Sequence, residues 1–470
     1  MTPTAPTPRT ADVIVIGGGP VGENAAQYAI AGTDMTALIV EGELLGGECS
    51  YYACIPSKAL LRPIEVARTT ASLPGVSQAE VEREALLERR DTWVSGYDDA
   101  GQVSWAEGAG LPVVRGHGRL TGPKQVEVSG TDGSITSLRA EVAVILATGS
   151  VPTVPEQYDG IHPWTSRDAT GVQEVPGHVA IIGGGVVACE AATWLRGLGA
   201  HVTLLVRGEG VLRGSEPFAG EAVIEGLRSQ GVEVRLVATV REVRREDPRE
   251  TGLGRIHGGP VHLTTDAGEL EVDEVLVATG RRPRLDDLGL DTVGLSPEHV
   301  TDADLPEWLA VIGDASGEAP LTHWGKYRAR VIGERIAATA SGEAPERVPE
   351  DVPVPQVVFT DPQVAQVGRT EQAARGDGVE VVTAQVPYGA AAGTSLLRDE
   401  VPGQAKIVVD TGTGRLLGAS FVGPEAAELV HAATVAIVGE VPVRVLRHAV
   451  PAFPTASELW LQLLESLPRV

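Results

Sequence analysis

Cysteine is scarce in this chain, with three in 470 residues, at positions 49, 54 and 189. So few cysteines exclude a disulfide-stapled scaffold and suit a reducing cytosol, where a disulfide that does form is catalytic or redox-sensing. Positive charge is also in short supply. Against 63 Asp and Glu stand 38 Lys and Arg, a formal net charge of −25, which argues against nucleic acid or an anionic membrane as partner, since both require basic patches. Long apolar runs are missing as well: none approaches the roughly 18 residues of a membrane span. The first ten residues, interrupted by Pro3, Pro6 and Pro8, lack the apolar core of a signal peptide. The expected setting is soluble and cytoplasmic. Glycine, by contrast, is plentiful at 57 residues, as in α/β proteins with many tight strand-to-helix turns. The length allows two to four domains.

Two segments repeat one pattern. Val13-Ile14-Val15-Ile16 is a continuous apolar run of the kind buried on both sheet faces. It leads into Gly17-Gly18-Gly19-Pro20-Val21-Gly22, an alanine-rich helix from Asn24 to about Ala31, and the strand Leu38-Ile39-Val40 with Glu41 at its end. The second copy, 166 residues on, runs from Val179-Ala180-Ile181-Ile182 through Gly183-Gly184-Gly185, then a helix to Leu198 and the strand Val202–Val206. Two later runs, Val144–Gly149 and Val275–Gly280, each read as a strand closing one unit. A helix is expected from about Gly325 to Ala340, and Ser341–Pro345 reads as a boundary. Beyond it, strands at Val354–Phe359, Gln404–Val409 and Leu416–Val422 mix with helices near Glu425–Gly439, an α+β domain without a nucleotide signature.

A glycine triplet has meaning when it follows a strand and opens a helix. Gly17, Gly19 and Gly22 do so: they permit the turn and close backbone approach, and the helix start offers N–H groups and positive potential to a pyrophosphate. Glu41, 24 positions after Gly17, sits where a carboxylate accepts from a ribose diol. In the second copy, with Gly183 and Gly185, the residue at the same offset is Arg207, and Arg213 follows six positions later. A guanidinium cannot accept from a 2′-hydroxyl but pairs with a 2′-phosphate, so NADPH is expected there in preference to NADH. Cys49 and Cys54, five apart and about thirty residues after the first glycine turn, point to redox chemistry. Two dinucleotides and a cysteine pair imply a path from NADPH through flavin to a disulfide, whose leading thiolate needs a helix start or a flavin to stabilise it. No metal-ligand set is read from the sequence.

With these motifs the chain resembles the FAD-dependent pyridine nucleotide–disulfide oxidoreductases, the family of glutathione reductase, dihydrolipoyl dehydrogenase and mercuric reductase. The resemblance spans nearly the whole chain: both glycine fingerprints, Cys49-Ser50-Tyr51-Tyr52-Ala53-Cys54-Ile55-Pro56-Ser57-Lys58, Ala147-Thr148-Gly149-Ser150, Gly313-Asp314 and the last domain. It implies an α/β fold with two Rossmann-like dinucleotide-binding domains plus an α+β dimerisation domain. The expected bounds are 1–155 and 280–345 for FAD, 156–279 for the nicotinamide nucleotide and 346–470 for the dimer contact. By resemblance, Cys49 is the interchange thiol, Cys54 the charge-transfer thiol, Lys58 a partner of Glu190 near the flavin, and Thr148, Gly149 and Asp314 cofactor-binding residues. The enzyme is expected to be a homodimer whose sites are completed across the two-fold axis.

One motif departs. The family's disulfide reductases carry His-Pro-Thr-x-Ser-Glu near the carboxy terminus, the histidine acting as acid and base and the glutamate orienting it. Here the run reads Phe453-Pro454-Thr455-Ala456-Ser457-Glu458, and phenylalanine carries no proton. Mercuric reductases also lack that histidine, but this chain has no carboxy-terminal cysteine pair. His323, at an expected helix start, is the candidate substitute, with His448 behind it; Tyr51 and Tyr52 are read as an aromatic wall for a flat acceptor. The expected activity is electron transfer from NADPH via FAD to Cys49–Cys54 and on to a disulfide or thiol-bound small molecule. The alternative is a quinone or metal-ion reductase acting directly from the flavin, with the cysteines auxiliary. A non-enzymatic scaffold reading fits least, given the intact cofactor motifs.

Overall fold

The structure is a computed structural model that describes residues 9–300, 305–349 and 351–468. The described residues divide into two compact units, one drawn from 9–56, 91–153, 280–300 and 305–349, the other from 57–90, 154–279 and 351–468. The segment Met1–Pro8, expected to carry no signal peptide, lies outside the described residues.

In the first unit, the strand Arg9–Ile16 pairs in parallel with Ala37–Glu41 on one side and Ile135–Leu146 on the other. Val113–Arg115 and Leu309–Val311 extend the parallel part, and the antiparallel strands His117–Gly122 and Gln125–Ser129 complete a seven-stranded sheet. Val13, Ile14 and Val15 have no exposure because helices cover one face of the parallel strands and the segment around Leu285–Leu309 the other. Helices Pro20–Ile30 and Thr322–Ala340 pack closely where Gly325 and Gly333 face Val21 and Tyr28.

The second unit repeats the doubly wound pattern with four parallel strands, in the order Glu233–Leu236, His201–Val206, His178–Ile182 and Glu274–Val277. Helices Val186–Gly197 and Pro217–Ser229 supply its apolar cover. A three-stranded antiparallel sheet, Val240–Arg245, Val261–Thr265 and Gly268–Val272, lies beside it. Its last part is a five-stranded antiparallel sheet of Gln356–Val358, Gln363–Gly368, Leu416–Gly423, Gln404–Asp410 and Val381–Pro387, backed by helices Val430–Val438 and Glu458–Ser466.

An ion cluster ties this sheet to the helix Cys54–Ala71 inside the second unit. Asp361 receives two hydrogen bonds from Arg398, at 3.1 and 2.8 Å, and one from Arg68 at 2.5 Å. Burial works against ionisation of Asp361, but the hydrogen bonds and charges of Arg398, then those of Arg68, outweigh it and hold its carboxyl below the usual range. A depressed acid contributes stability above its unfolded pKa, about 3.9, and loses it as pH falls from there through the folded value. Asp361→Asn is therefore expected to be less stable at pH 7 and to lose less between pH 4 and 3 than the parent, a difference read from thermal midpoints across that range. Equal losses in the two proteins would show that Asp361 does not carry the acid response.

Candidate active site

The first glycine turn has the shape a dinucleotide requires. Gly17 has φ +105°, and a side chain there collides with the Ala147 carbonyl; one on Gly22 collides with the Gly17 carbonyl. Gly19 is different, since a Cβ would meet nothing nearer than Gly47 at 3.7 Å. The helix Pro20–Ile30 starts at Gly19 with no side-chain cap, so its first N–H groups and positive end face that open approach. This fits a pyrophosphate.

Glu41 closes the turn as expected, with a duty the sequence did not reveal. Its carboxylate accepts from the N–H groups of Gly18 and Glu43, both at 2.6 Å; a carboxylate with about four lone-pair directions keeps others for a diol. Glu23, in the first turn of the same helix, is buried, with one carboxyl oxygen unpartnered, and is pushed up to about 7 by burial and by Glu41, with Lys326 opposing. Thr148 donates to the Arg284 carbonyl at 2.6 Å, and Gly149 takes φ +76°. Asp314, in the turn Gly313–Ser316, accepts from the Ser150 hydroxyl at 2.5 Å. Arg281, unnoticed in the sequence, grips Ser150 through its hydroxyl and carbonyl, each at 2.8 Å, and reaches Glu48 at 3.3 Å. It follows directly on the Val275–Gly280 run, a signal the sequence did offer.

The two cysteines meet. Both are thiols, Cys49 within the short helix Gly47–Tyr51 and Cys54 as the first residue of Cys54–Ala71. A hydrogen bond with Cys54, then burial, push the Cys49 thiol well up, against a smaller opposing influence of Thr322. Cys54 Sγ lies 3.4 Å from Thr322 Oγ1, and Thr322 opens the helix Thr322–Ala340. Cys54 thus stands at one helix start and touches a second, where positive potential favours a thiolate. His323, the next residue of that second helix, is exposed. Tyr51 corrects part of the expected aromatic wall: it is 4% exposed, packed against Gly46, because it is the inward residue of its short helix. Tyr52 is half-buried, and its ring stacks on Tyr97 at 5.5 Å with 27° between the planes.

In the second unit the expected pair forms. Lys58 Nζ is 2.8 Å from Glu190 Oε2, Glu190 Oε1 accepts from the Phe359 N–H at 2.9 Å, and the ammonium sits 4.7 Å from the centre of the Phe359 ring. Cys189, beside Glu190, is fully buried and pushed up to about 12 by burial and by Glu190's charge, a packing residue. The second glycine turn repeats the first: Gly183 at φ +142° admits no side chain against Ala278, while Gly185, the uncapped start of Val186–Gly197, has nothing within 4 Å of a Cβ. Arg207 and Arg213 are exposed near it, Arg213 lying against Gly208. Glu458 begins the last helix and accepts from the Gly393 N–H at 3.3 Å, while Phe453 is 78% exposed.

Residues 11–307 match the pyridine nucleotide-disulphide oxidoreductase family, and residues 354–463 match its dimerisation domain. A mercuric reductase of Staphylococcus aureus is 30% identical over 435 residues, 91% of this chain and 77% of its own. A dihydrolipoyl dehydrogenase of Chlamydia muridarum is 30% identical over 467 residues, 96% of this chain and 95% of its own. Among solved structures, the Cu(II) complex of RclA, an HOCl-induced flavoprotein disulfide reductase of Escherichia coli, superposes with a TM-score of 0.82 at 21% identity, covering 97% of this chain and 99% of that one. LpdA of Mycobacterium tuberculosis gives 0.82 at 22% identity, with the same coverage. These two show the fold. The family matches and the two relatives establish that this chain belongs to the pyridine nucleotide-disulphide oxidoreductases, FAD-dependent enzymes that use a pyridine nucleotide.

Proposed function

We propose that the enzyme passes electrons from NADPH to the Cys49–Cys54 pair and on to a disulfide or thiol-bound small molecule. The observation that carries this is the contact between the two thiols, with Cys54 at the start of Cys54–Ala71 and against Thr322. When bound, the flavin supplies two-electron relay chemistry between nicotinamide and disulfide. Gly17, Gly19, Gly22, Glu41, Thr148, Gly149 and Asp314 hold it, as Gly183, Gly185, Arg207 and Arg213 hold NADPH. Lys58 and Glu190 keep the roles the resemblance implies. Cys49 waits protonated and attacks as its proton leaves; Cys54, favoured as thiolate, closes the disulfide. With Phe453 in the family's histidine position, water or His323 takes the proton, and Glu458 serves as a backbone anchor for Gly393.

The setting we assign is a cytoplasmic homodimer. The family's dimerisation domain is present, and Val435, Val438, Val445, Val450 and Phe453 are exposed on that part of the chain. Among the described residues no helix is long and apolar enough to cross a membrane.

Anaerobic titration with dithionite tests the reading. Uptake of about four electrons per flavin, thiols appearing before the flavin bleaches, supports a working disulfide, which is itself a two-electron couple. Uptake of about two overturns it in favour of direct reduction of quinones or metal ions by the flavin, the reading that the lost histidine favours. A lower KM for NADH than for NADPH overturns the cofactor assignment.

A further inference from the structure

Glu23 is an acid where the fold suits an uncharged residue. It lies in the first turn of Pro20–Ile30, the helix that starts at Gly19, and is 6% exposed. Its Oε1 is buried without a hydrogen-bond partner, a condition that penalises an ionised carboxyl far more than a protonated one. The second glycine turn supplies a comparison within the chain. At the repeat offset of 166 residues the counterpart of Glu23 is Cys189, fully buried and, with its thiol pushed up to about 12, neutral. Nothing in the turn itself calls for an acid at this depth.

The groups around Glu23 come from three neighbouring elements. Burial, then Glu41 at the end of Ala37–Glu41, push the Glu23 carboxyl up to about 7, against Lys326, exposed on Thr322–Ala340. Tyr51 of Gly47–Tyr51 also interacts with it. Burial, then Asp99, Glu23 and Asp98, push that phenol up to about 12 against Arg115, so it stays neutral through pH 9. The strands Arg9–Ile16 and Ile135–Leu146 end in the apolar runs Val13–Ile16 and Ala143–Leu146 and add no charge.

An ionised Glu23 in the first turn and a pyrophosphate at Gly19 would draw on the same positive helix end and repel each other. We infer that Glu23 is a proton switch for the flavin nucleotide: FAD binds the form in which Glu23 is protonated, so binding takes up a proton there and release returns it to solvent. This rests on the reading that the Gly17–Gly22 turn holds FAD. Linkage sets the sign. A ligand that prefers the protonated form binds more weakly as pH rises past the pKa of the free group, and one proton limits the change to about 10-fold per pH unit.

The test dilutes the full-length holoenzyme at pH 6 to 9 and reads released FAD by its fluorescence. In the parent the dissociation constant is expected to rise about 10-fold or more between pH 7 and 9. Glu23→Gln keeps the shape without the charge, and its constant is expected to stay within about 2-fold of the parent's pH 6 value throughout. FAD added to flavin-free full-length parent at pH 8 is expected to take up about half a proton or more, and Glu23→Gln correspondingly less. Equal rises in parent and Glu23→Gln overturn the inference, as does a parent constant that is flat from pH 6 to 9; the parent profile decides even where the variant fails to fold. Gly19→Asp tests the underlying reading separately. A Cβ at Gly19 meets nothing nearer than 3.7 Å, so the turn accepts the side chain, while its carboxylate enters the open approach and is expected to weaken FAD binding about 10-fold or more. Parent-like FAD affinity in Gly19→Asp overturns the reading that this turn holds FAD.

Discussion

Cys49→Ser is expected to take up about two electrons per flavin where the parent takes about four, because serine cannot form the disulfide and a two-electron couple is lost. Turnover with disulfide acceptors falls by roughly two orders of magnitude or more, the scale on which removal of a reacting group acts. Ferricyanide turnover is retained, since nothing changes in the glycine turns proposed to hold the cofactors. Cys54→Ser has the same electron count and a different second signature. The hydrogen bond with Cys54 is the largest influence raising the Cys49 thiol, ahead of burial. With that bond weakened, Cys49 titrates lower, so its alkylation by iodoacetamide begins at lower pH than in the reduced parent. In the parent, alkylation at Cys49 should rise steadily into the alkaline range. Disulfide turnover in Cys49→Ser close to the parent's would make the pair auxiliary and leave the flavin as the direct donor.

The parts of the molecule legible in the sequence are those whose chemistry is local. Gly17 and Gly22 announce themselves because a strand, a turn and a helix follow one another within a dozen residues, and the same holds for Gly183. The apolar run Val13–Ile16 reads as a buried strand because both faces are covered, whereas Val381–Pro387 puts Thr383 and Gln385 on one face and Gln363–Gly368 carries a glutamine on each face, so neither strand stands out in the sequence. The apolar pattern alone starts this helix near Gly325, because Thr322 and His323 interrupt it, whereas the helix opens at Thr322. That early start matters, because Thr322 is the residue that touches Cys54. Residues acting through distant neighbours left only faint marks. Arg281 reads as one more arginine until Ser150 and Glu48 are beside it, and Tyr97 as a loop aromatic until its ring lies on Tyr52. Lys58 and Glu190, 132 positions apart, were paired only through resemblance.

Glu274→Ala is expected to destabilise the second unit by about 3–5 kcal/mol, the cost of stripping a buried charge of its partner. Arg245 and Glu274 form an ion pair in which both side chains have 0% exposure. Glu274 also accepts from the N–H groups of His257, at 3.0 Å, and of Val275, at 2.9 Å. Arg245 holds less in reserve, since its Nε and Nη1 are buried without a hydrogen-bond partner. Removing Glu274 leaves a fully buried cation without its carboxylate, at the start of the strand that pairs with His178–Ile182. His178–Ile182 leads into the Gly183 turn, where we propose that NADPH binds, so weakened NADPH binding should accompany the lower thermal midpoint. Arg245→Ala is the milder change, because the carboxylate left behind keeps two backbone donors and can take up a proton. Burial already raises the pKa of Glu274 against the opposing pull of Arg245. Replacing both residues, Arg245→Met with Glu274→Leu, removes the charges together and is expected to recover most of the loss. Thermal midpoints of the three variants decide the matter. If Glu274→Ala and Arg245→Ala lose equally and the double variant loses the sum, the buried pair is a net stabiliser and the unpaired cation is not the source of the cost.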